Sequence, residues 1–259
     1  MIRLGSGGTA GLGYDLAIPK LAELGLSALE VEFTHGVHMK NETAKEIAKL
    51  AKKHNISLSI HAPYFINLAS KEKEKIKASI KRILDSCERA HYLGATHVVY
   101  HSGFFQKQNP KLVKDLITEN TQYIVEKIKE NKWKTTISPE LTGKPTQYGS
   151  IRELLQLRKD TGCEITVDFA HQKARQQGKI DYAEIFDQIK SLKHIHSHFS
   201  GIEWTEKGER KHKITEKEDI LPLAKEIIKR KTDITIINES PDPIGDAYKT
   251  KQTFEQLTW

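Results

Sequence analysis

Cysteine is nearly missing from this chain. Only Cys87 and Cys163 occur among 259 residues, far apart and in no Cys-x-x-Cys pair. That excludes a disulfide scaffold and a thiolate zinc module, and it makes a reducing cytoplasm the expected setting. Long apolar runs are missing too. Mean hydropathy is −0.54, and no stretch approaches the roughly 18 apolar residues that a membrane span needs. The opening MIRLGSGGTAGLGY has no apolar core of the kind found in a secretory signal. Low-complexity blocks and Pro/Gly/Ser linkers are also lacking, so residues 1–259 read as one domain. With 37% hydrophobic and 29% charged residues, the composition suits a folded chain with a large core and not a disordered one.

Two features stand out among what is present. Lys and Arg number 41 against 34 Asp and Glu, a net charge of +7, which permits a polyanionic partner without establishing one. Histidine numbers 12, and neutral imidazole is the commonest metal ligand.

Short apolar, β-rich runs alternate with longer amphipathic runs rich in Lys, Glu, Leu and Ile. Strands are expected over 2–5, 28–33, 57–61, 97–101, 135–139, 164–168, 194–199 and 235–239. Helices are expected over 17–24, 42–54, 71–93, 111–131, 151–161, 182–190, 219–231 and 250–257. Asn41 sits where an N-cap would, and Gly94 and Gly162 sit just past helices, where left-handed geometry is needed. Eight strands alternating with eight helices in this length give a (β/α)8 TIM barrel of α/β class. A doubly wound open sheet competes, because Gly5-Ser-Gly7-Gly8-Thr-Ala-Gly11 follows the first strand. The spacing is not a clean Gly-x-Gly-x-x-Gly, however, and the next helix starts late. A loop at the barrel mouth is the better reading.

In such a barrel the strand C-terminal ends converge on one rim. Strand 3 ends at His61, strand 4 at His101, and strand 5 leads into Glu140. Strand 6 ends at Asp168, with His171 three residues on. Strand 7 carries His194, His196 and His198, and strand 8 ends at Glu239. Any one of these alone is ordinarily a hydrogen-bonded structural histidine or a solvated carboxylate. Six consecutive strand ends of this kind concentrate carboxylates, which costs free energy unless cations balance them. A metal centre supplies the cations. Imidazole mixed with carboxylate, and no thiolate, suits zinc, manganese, iron or cobalt. About eight ligands exceed the needs of one ion and suffice for two or three, an arrangement suited to phosphodiester cleavage. On strand 7 the three histidines share one face. His196 is the expected ligand, His198 a supporting or substrate-facing group, and His194 is expected low in the barrel.

These residues resemble the endonuclease IV family of apurinic/apyrimidinic endonucleases, a branch of the xylose-isomerase-like barrels. The most specific segment is His61-x-x-Tyr64-x-Ile66-Asn67-Leu68. His101-Ser-Gly, Glu140, Asp168-x-x-His171, His196 and Glu239 follow in the family's order. The resemblance implies a zinc cluster of two or three ions, with manganese as an alternative. His61, His101 and a bridging Glu140 would hold one ion. Glu140, Asp168, His196 and Glu239 would hold a second, and His171 with His212 a third. It also implies hydrolysis of the phosphodiester 5′ to an abasic nucleotide in duplex DNA, with Glu140 and Glu239 in the catalytic centre. The lesion would be flipped into the cluster, with Tyr64 entering the DNA, in a monomeric protein.

One position and two segments depart from that family. Arg210, in Gly208-Glu209-Arg210-Lys211-His212, stands where the family has an aspartate for the third ion. Glu203, Glu206 or Glu209 would replace it, or the third ion would bind weakly or not at all, with Arg210 free to contact a DNA phosphate directly. The loop after strand 2, FTHGVHMKN, and the N-terminal segment also differ from the family pattern. A sugar isomerase or epimerase of the same barrel group shares Glu140, Asp168, His196 and Glu239, but has little need of His61, His101 and His212. A UV-damage endonuclease is a further alternative. A non-enzymatic basic nucleic-acid-binding module rests on the +7 charge and on Lys71-Glu-Lys-Glu-Lys-Ile-Lys, a run of mixed sign that reads as a solvated helix face.

Overall fold

In the computed structural model, which describes residues 1–258, alternation along each strand separates two environments. The strands are β1 (Ile2–Gly7), β2 (Ala28–Glu32), β3 (Ser57–His61), β4 (His97–Tyr100), β5 (Thr136–Pro139), β6 (Thr166–Asp168), β7 (Ile195–Phe199) and β8 (Ile234–Asn238). Leu29, Val31, Leu58, Ile60, Val98, Tyr100, Ile137, Ile195 and Ile236 belong to one buried apolar cluster shared with the surrounding helices. The residues between them point the other way, into the barrel, and many are polar. Ser59 donates to Glu30 at 2.6 Å, Ser138 and Thr166 share a 2.8 Å hydrogen bond, and His196 meets Glu30 at 2.9 Å. Strands buried on both faces usually read as continuous apolar runs. Here the period of two persists because the inner face serves polar chemistry.

All pairings in the main sheet are parallel, and each strand lies beside its sequence neighbour, with β1 also paired to β8. The circle closes between β5 and β6 through the parallel bridge of Glu140 with Thr166. This is the TIM barrel expected from the strand–helix rhythm.

Helix ends follow local chemistry. Ser150 and Glu153 form a reciprocal capping box for the helix Ile151–Thr161. Gly94 and Gly162 end their helices in the left-handed region, at φ 67° and 75°. Asn41 differs from expectation: it is the first residue of its helix, Lys40 holds the cap position, and no side-chain capping bond forms. The sequence pattern also misses the short helix Phe169–Arg175, which starts at once from β6 with Asp168 as its cap. The last helix is longer than expected, Pro243–Thr258. Two antiparallel ribbons rise from the rim, one joining Gly103–Phe104 to Gln147–Tyr148, the other joining Gly201–Thr205 to Gly208–Lys213. No helix among the described residues is long and apolar enough to cross a membrane.

Gly5 lies opposite Ala28 in the β1–β2 pairing, and a Cβ there would collide with the Ala28 carbonyl. Gly5→Ala forces these two strands apart. It should cost roughly 1–3 kcal/mol, as overpacking does, read as a lower urea midpoint. An unchanged midpoint would mean that β1 and β2 separate without penalty.

Candidate metal centre

Glu140 follows β5, at the point where the barrel closes, and its side chain is fully buried. Its Oε2 lies 3.2 Å from His61 Nε2 and 3.0 Å from His101 Nε2. Its Oε1 lies 3.2 Å from His198 Nδ1 and 3.2 Å from His171 Nδ1. Burial favours the neutral acid. The charges of His101 and His198, with hydrogen bonds from His101 and His171, outweigh it and hold the carboxyl well below its usual range.

The donors form four groups, each with ligand atoms within 4.8 Å of one another. Three surround this carboxylate: His61 with His101 and Glu140; Glu140 with Asp168, His198 and Glu239; and His171 with Glu209 and His212. The fourth, Glu30 with His196 and His198, lies beneath them. Three of the imidazoles are tethered by one nitrogen. His61 Nδ1 donates to the Ala62 carbonyl at 2.8 Å, and His171 Nδ1 to the Leu141 carbonyl at 2.9 Å. His212 Nδ1 pairs with Ser200 Oγ at 2.8 Å. Each tether leaves Nε2 as the ligand atom, the pattern by which metal-binding histidines are oriented. Asp168 spends Oδ1 on the His171 backbone N–H at 2.7 Å, while its buried Oδ2 has no hydrogen-bond partner. Its close polar neighbour is His171 Nδ1 at 3.1 Å, whose hydrogen bond goes to the Leu141 carbonyl. A buried carboxylate oxygen without a hydrogen bond is costly, and a cation bound among Glu140, His198 and Glu239 would satisfy it. The residues therefore fit a metal centre of nitrogen and oxygen donors.

Seven of the eight expected ligands, His61, His101, Glu140, Asp168, His171, His212 and Glu239, fall in the three groups around Glu140, and His196 falls in the fourth, with Glu30 and His198. Strand parity gives β7 one inward face but not the height of each residue. Height comes from register, which sets His198 beside Asp168 at the rim and His196 one layer lower, beside Thr166. His196 bonds to Glu30 and stacks on His97, with ring centres 4.7 Å apart. His194 is lower still, hydrogen-bonded to Asp233 and Thr235. His198 takes the place at the centre that had been expected for His196.

The third group turns on a backbone irregularity. In the ribbon after β7, Glu203 pairs with Lys211 and Trp204 with Glu209, so Arg210 is the extra residue of a β-bulge. A bulge reverses the alternation beyond it. Glu209 thereby joins His212 on the cavity side, with Oε2 3.5 Å from His171 Nε2. Arg210 instead points outward, largely exposed, and pairs with Glu203. The aspartate missing from position 210 is thus matched by a carboxylate one residue earlier.

A cavity of about 730 Å³ opens over the centre. Its wall includes the β1 loop at Gly7, Gly8 and Gly11, together with Tyr64 and Lys144. Tyr64 is 61% exposed and its ring lies 6.2 Å from that of His61. Glu32, at the end of β2, also lines the cavity and escapes sequence reasoning. Burial, then the charge of Glu239, raises its carboxyl above the usual range. Glu30 and Glu32 share the inward parity of β2, and a carboxylate repeated at that spacing inside ALEVE was the available signal.

Burial opposes the charged form of His61, yet the hydrogen bond and charge of Glu140, with Glu239 and Glu30, raise it from 6.5 to about 9. A raised histidine stabilises the fold fully below its unfolded value, and that contribution is lost as pH rises through the folded value. The ion-free protein should therefore melt at a lower temperature above pH about 9 than at pH about 6.5, with a smaller difference in His61→Gln. Cation binding should run the other way, strengthening over the same interval as protons leave the ligands. Thermal scans and metal titrations at the two pH values read both, and pH-independent melting would contradict the assignment.

The sequence profile of xylose isomerase-like TIM barrels matches residues 18–257. An uncharacterized protein of Methanocaldococcus jannaschii is 32% identical over 275 aligned positions, covering 96% of this chain and 97% of its own. A probable endonuclease 4 of Aster yellows witches'-broom phytoplasma is 33% identical over 154 positions, covering 58% of this chain and 49% of its own. Among solved structures, endonuclease IV from Thermus thermophilus superposes with TM-score 0.72 at 19% identity, covering 99% of this chain and 97% of that one. A D-tagatose 3-epimerase-like protein superposes with TM-score 0.75 at 20% identity, with the same coverage. At those identities the structures speak to fold alone, whereas the profile spans nearly the whole chain. The chain therefore belongs to the xylose isomerase-like TIM barrel family.

Proposed function

We propose that the protein is a metal-dependent phosphodiesterase that cuts DNA 5′ to abasic sites. The observation that carries this reading is the position of Glu140. One oxygen faces His61 and His101, and the other faces His198 and His171. A carboxylate so placed suits bridging between ions, and a one-ion isomerase has no use for the His61/His101 pair. His61, His101 and Glu140 would hold one ion; Glu140, Asp168, His198 and Glu239 a second; and His171, Glu209 and His212 a third, as zinc or manganese. Such ions supply an activated water and charge stabilisation for the departing oxygen.

The chain's own groups suit the rest of the task. Glu239 is the most open carboxylate of the second group and is held by His198 Nδ1 at 3.2 Å. That places it at the cavity floor, where a scissile phosphate would enter. Lys144 offers a cation on the cavity wall for a flanking phosphate. Tyr64 presents an exposed ring beside the centre, suited to stacking in the gap that a flipped abasic sugar leaves. The abasic nucleotide is the least costly to extrude, since no base pair or stack is lost with it.

A duplex carrying one abasic site tests the reading. Cleavage 5′ to the lesion is expected, with weaker binding as salt rises. Glu140→Gln should lower the rate by ~10²–10³-fold or more and release two ions together. Intact activity in that variant would remove the bridging role. Glu209→Gln should let one ion escape to milder chelation, and Arg210→Asp should leave ion affinity unchanged, because the guanidinium faces Glu203 and not the centre.

A sugar isomerase or epimerase is the second reading. It is favoured by the completeness of the Glu140, Asp168, His198, Glu239 group on its own, and by Glu32, whose carboxyl suits a neutral polyol better than a phosphate. One ion per chain in metal-replete protein, with proton exchange on a ketose and no DNA cleavage, would select it. Cleavage of a UV-photoproduct duplex but not an abasic one would select a UV-damage endonuclease.

A further inference from the structure

Beneath the centre lies a carboxylate that the reaction does not need to touch. Glu30 is fully buried at the middle of β2, facing inward. Its Oε2 accepts from Ser59 Oγ at 2.6 Å and meets His196 Nε2 at 2.9 Å. Its Oε1 lies 2.8 Å from His198 Nε2. The two atoms are close but not aligned as a hydrogen bond: Glu30 Oε1 and His198 Nε2 are both buried, and neither has a hydrogen-bond partner.

His198 reaches in two directions. Nδ1 points up, 3.2 Å from both Glu140 Oε1 and Glu239 Oε1. Nε2 points down at Glu30. A neutral imidazole carries one N–H, and whichever nitrogen holds it cannot be a ligand. Without an ion, Nδ1 hydrogen-bonds to Glu140; with a cation on that side, the carboxylate beneath Nε2 would favour the proton there and leave the Nδ1 lone pair facing upward. We propose that Glu30 is a positioning residue: from inside the barrel it fixes the ring orientation and tautomer of His198, so that Nδ1 is the atom offered to a metal ion. This arrangement of carboxylate, histidine and metal recurs in metal sites of unrelated fold.

The surroundings support this role over a merely space-filling one. Ser59 and His196 fix the second oxygen of Glu30, so the carboxylate cannot swing away from His198. His196 in turn rests flat on His97, at an interplanar angle of 8°. The stack runs from β4 through β7 to β2, and its upper end is the His198 ring. His196, expected as a ligand from its place in the sequence, thus acts two steps from the centre, by holding the group that holds a ligand.

The inference rests on the metal centre proposed above, and its test reads metal and not DNA. Wild-type protein, Glu30→Gln and Glu30→Ala are stripped, and Zn²⁺ affinity is measured by competition with a chromophoric chelator. Co²⁺-loaded samples are compared by visible absorption. The expected result is a 10–100-fold loss of affinity at one ion only, larger in Glu30→Ala than in Glu30→Gln, because the amide oxygen of Gln still accepts from Nε2–H. The Co²⁺ spectrum should change in both variants. Ser59→Ala, which disturbs the same carboxylate without removing it, should fall between wild type and Glu30→Gln. A structural role alone would lower the melting temperature and leave both metal readouts at wild-type values, and that result overturns the proposal. If Glu30→Ala does not fold, the isosteric Glu30→Gln decides, with unchanged affinity and spectrum again fatal. If wild-type protein itself takes up no ion, the centre falls and the positioning role falls with it. Ions bound equally by wild type and variants remove the positioning role alone.

Discussion

Four imidazoles bring nitrogen atoms within about 3.2 Å of Glu140, a carboxylate with no exposure to solvent. That contact constrains everything around it. A buried carboxylate is tolerated only when paired and hydrogen-bonded, and Asp168, Glu239 and Glu30 add three more acids within the same few residues of depth. The barrel answers with histidines on β3 and β7, just past the end of β4, and on the helix after β6. Without cations the surrounding carboxylates favour the imidazolium form of His61, His171 and His198, and burial, normally unfavourable to that form, is overcome there. With cations the protons become unnecessary. The same geometry thus suits two charge states, and exchange between them would couple cation binding to pH.

This demand also accounts for the polar interior. Barrel cores are ordinarily layers of branched apolar side chains. Here Ser59, Glu30, His196, Thr166 and Ser138 occupy inward positions, and the apolar residues of the same strands are turned outward to the helices. The folding energy comes from that outer layer, which leaves the inner one free to hold an electrostatic network. Closure by a single bridge at Glu140 and Thr166 fits the same division. The least extensively paired seam of the sheet is where the central carboxylate emerges.

The fold was legible because alternation and strand–helix rhythm are local. His61, His101, Asp168 and Glu239 could be read because a residue ending a strand is placed by the strand itself. Three features were not legible, each for a definite reason. Choosing between His196 and His198 required the register of β7 against β6, a relation between segments that parity cannot supply. Glu30 was passed over because a carboxylate inside a strand reads as a solvent-facing residue until the opposite face is known to be the apolar one. Arg210 was aligned with a ligand position by linear count, and a bulge breaks linear count.

That bulge shows how a ligand position can shift along a chain while the site is kept. An aspartate at position 210 would share the parity of His212 in a regular strand. Inserting one unpaired residue reverses the parity upstream of it and brings Glu209 to the cavity instead. The longer glutamate side chain still approaches His171, and the displaced arginine finds an outward partner in Glu203. Charge at the third group is therefore preserved: one carboxylate and two imidazoles face the cavity, and the guanidinium is kept away from it. A donor group arranged in this way has the same formal charge as one built on an aspartate, with more freedom in the side chain that closes it. Its ligand distance then depends on glutamate rotamers and on the ribbon's own rigidity, not on a strand end fixed by the barrel. Of the three groups, it is the one whose geometry the rest of the fold holds least firmly.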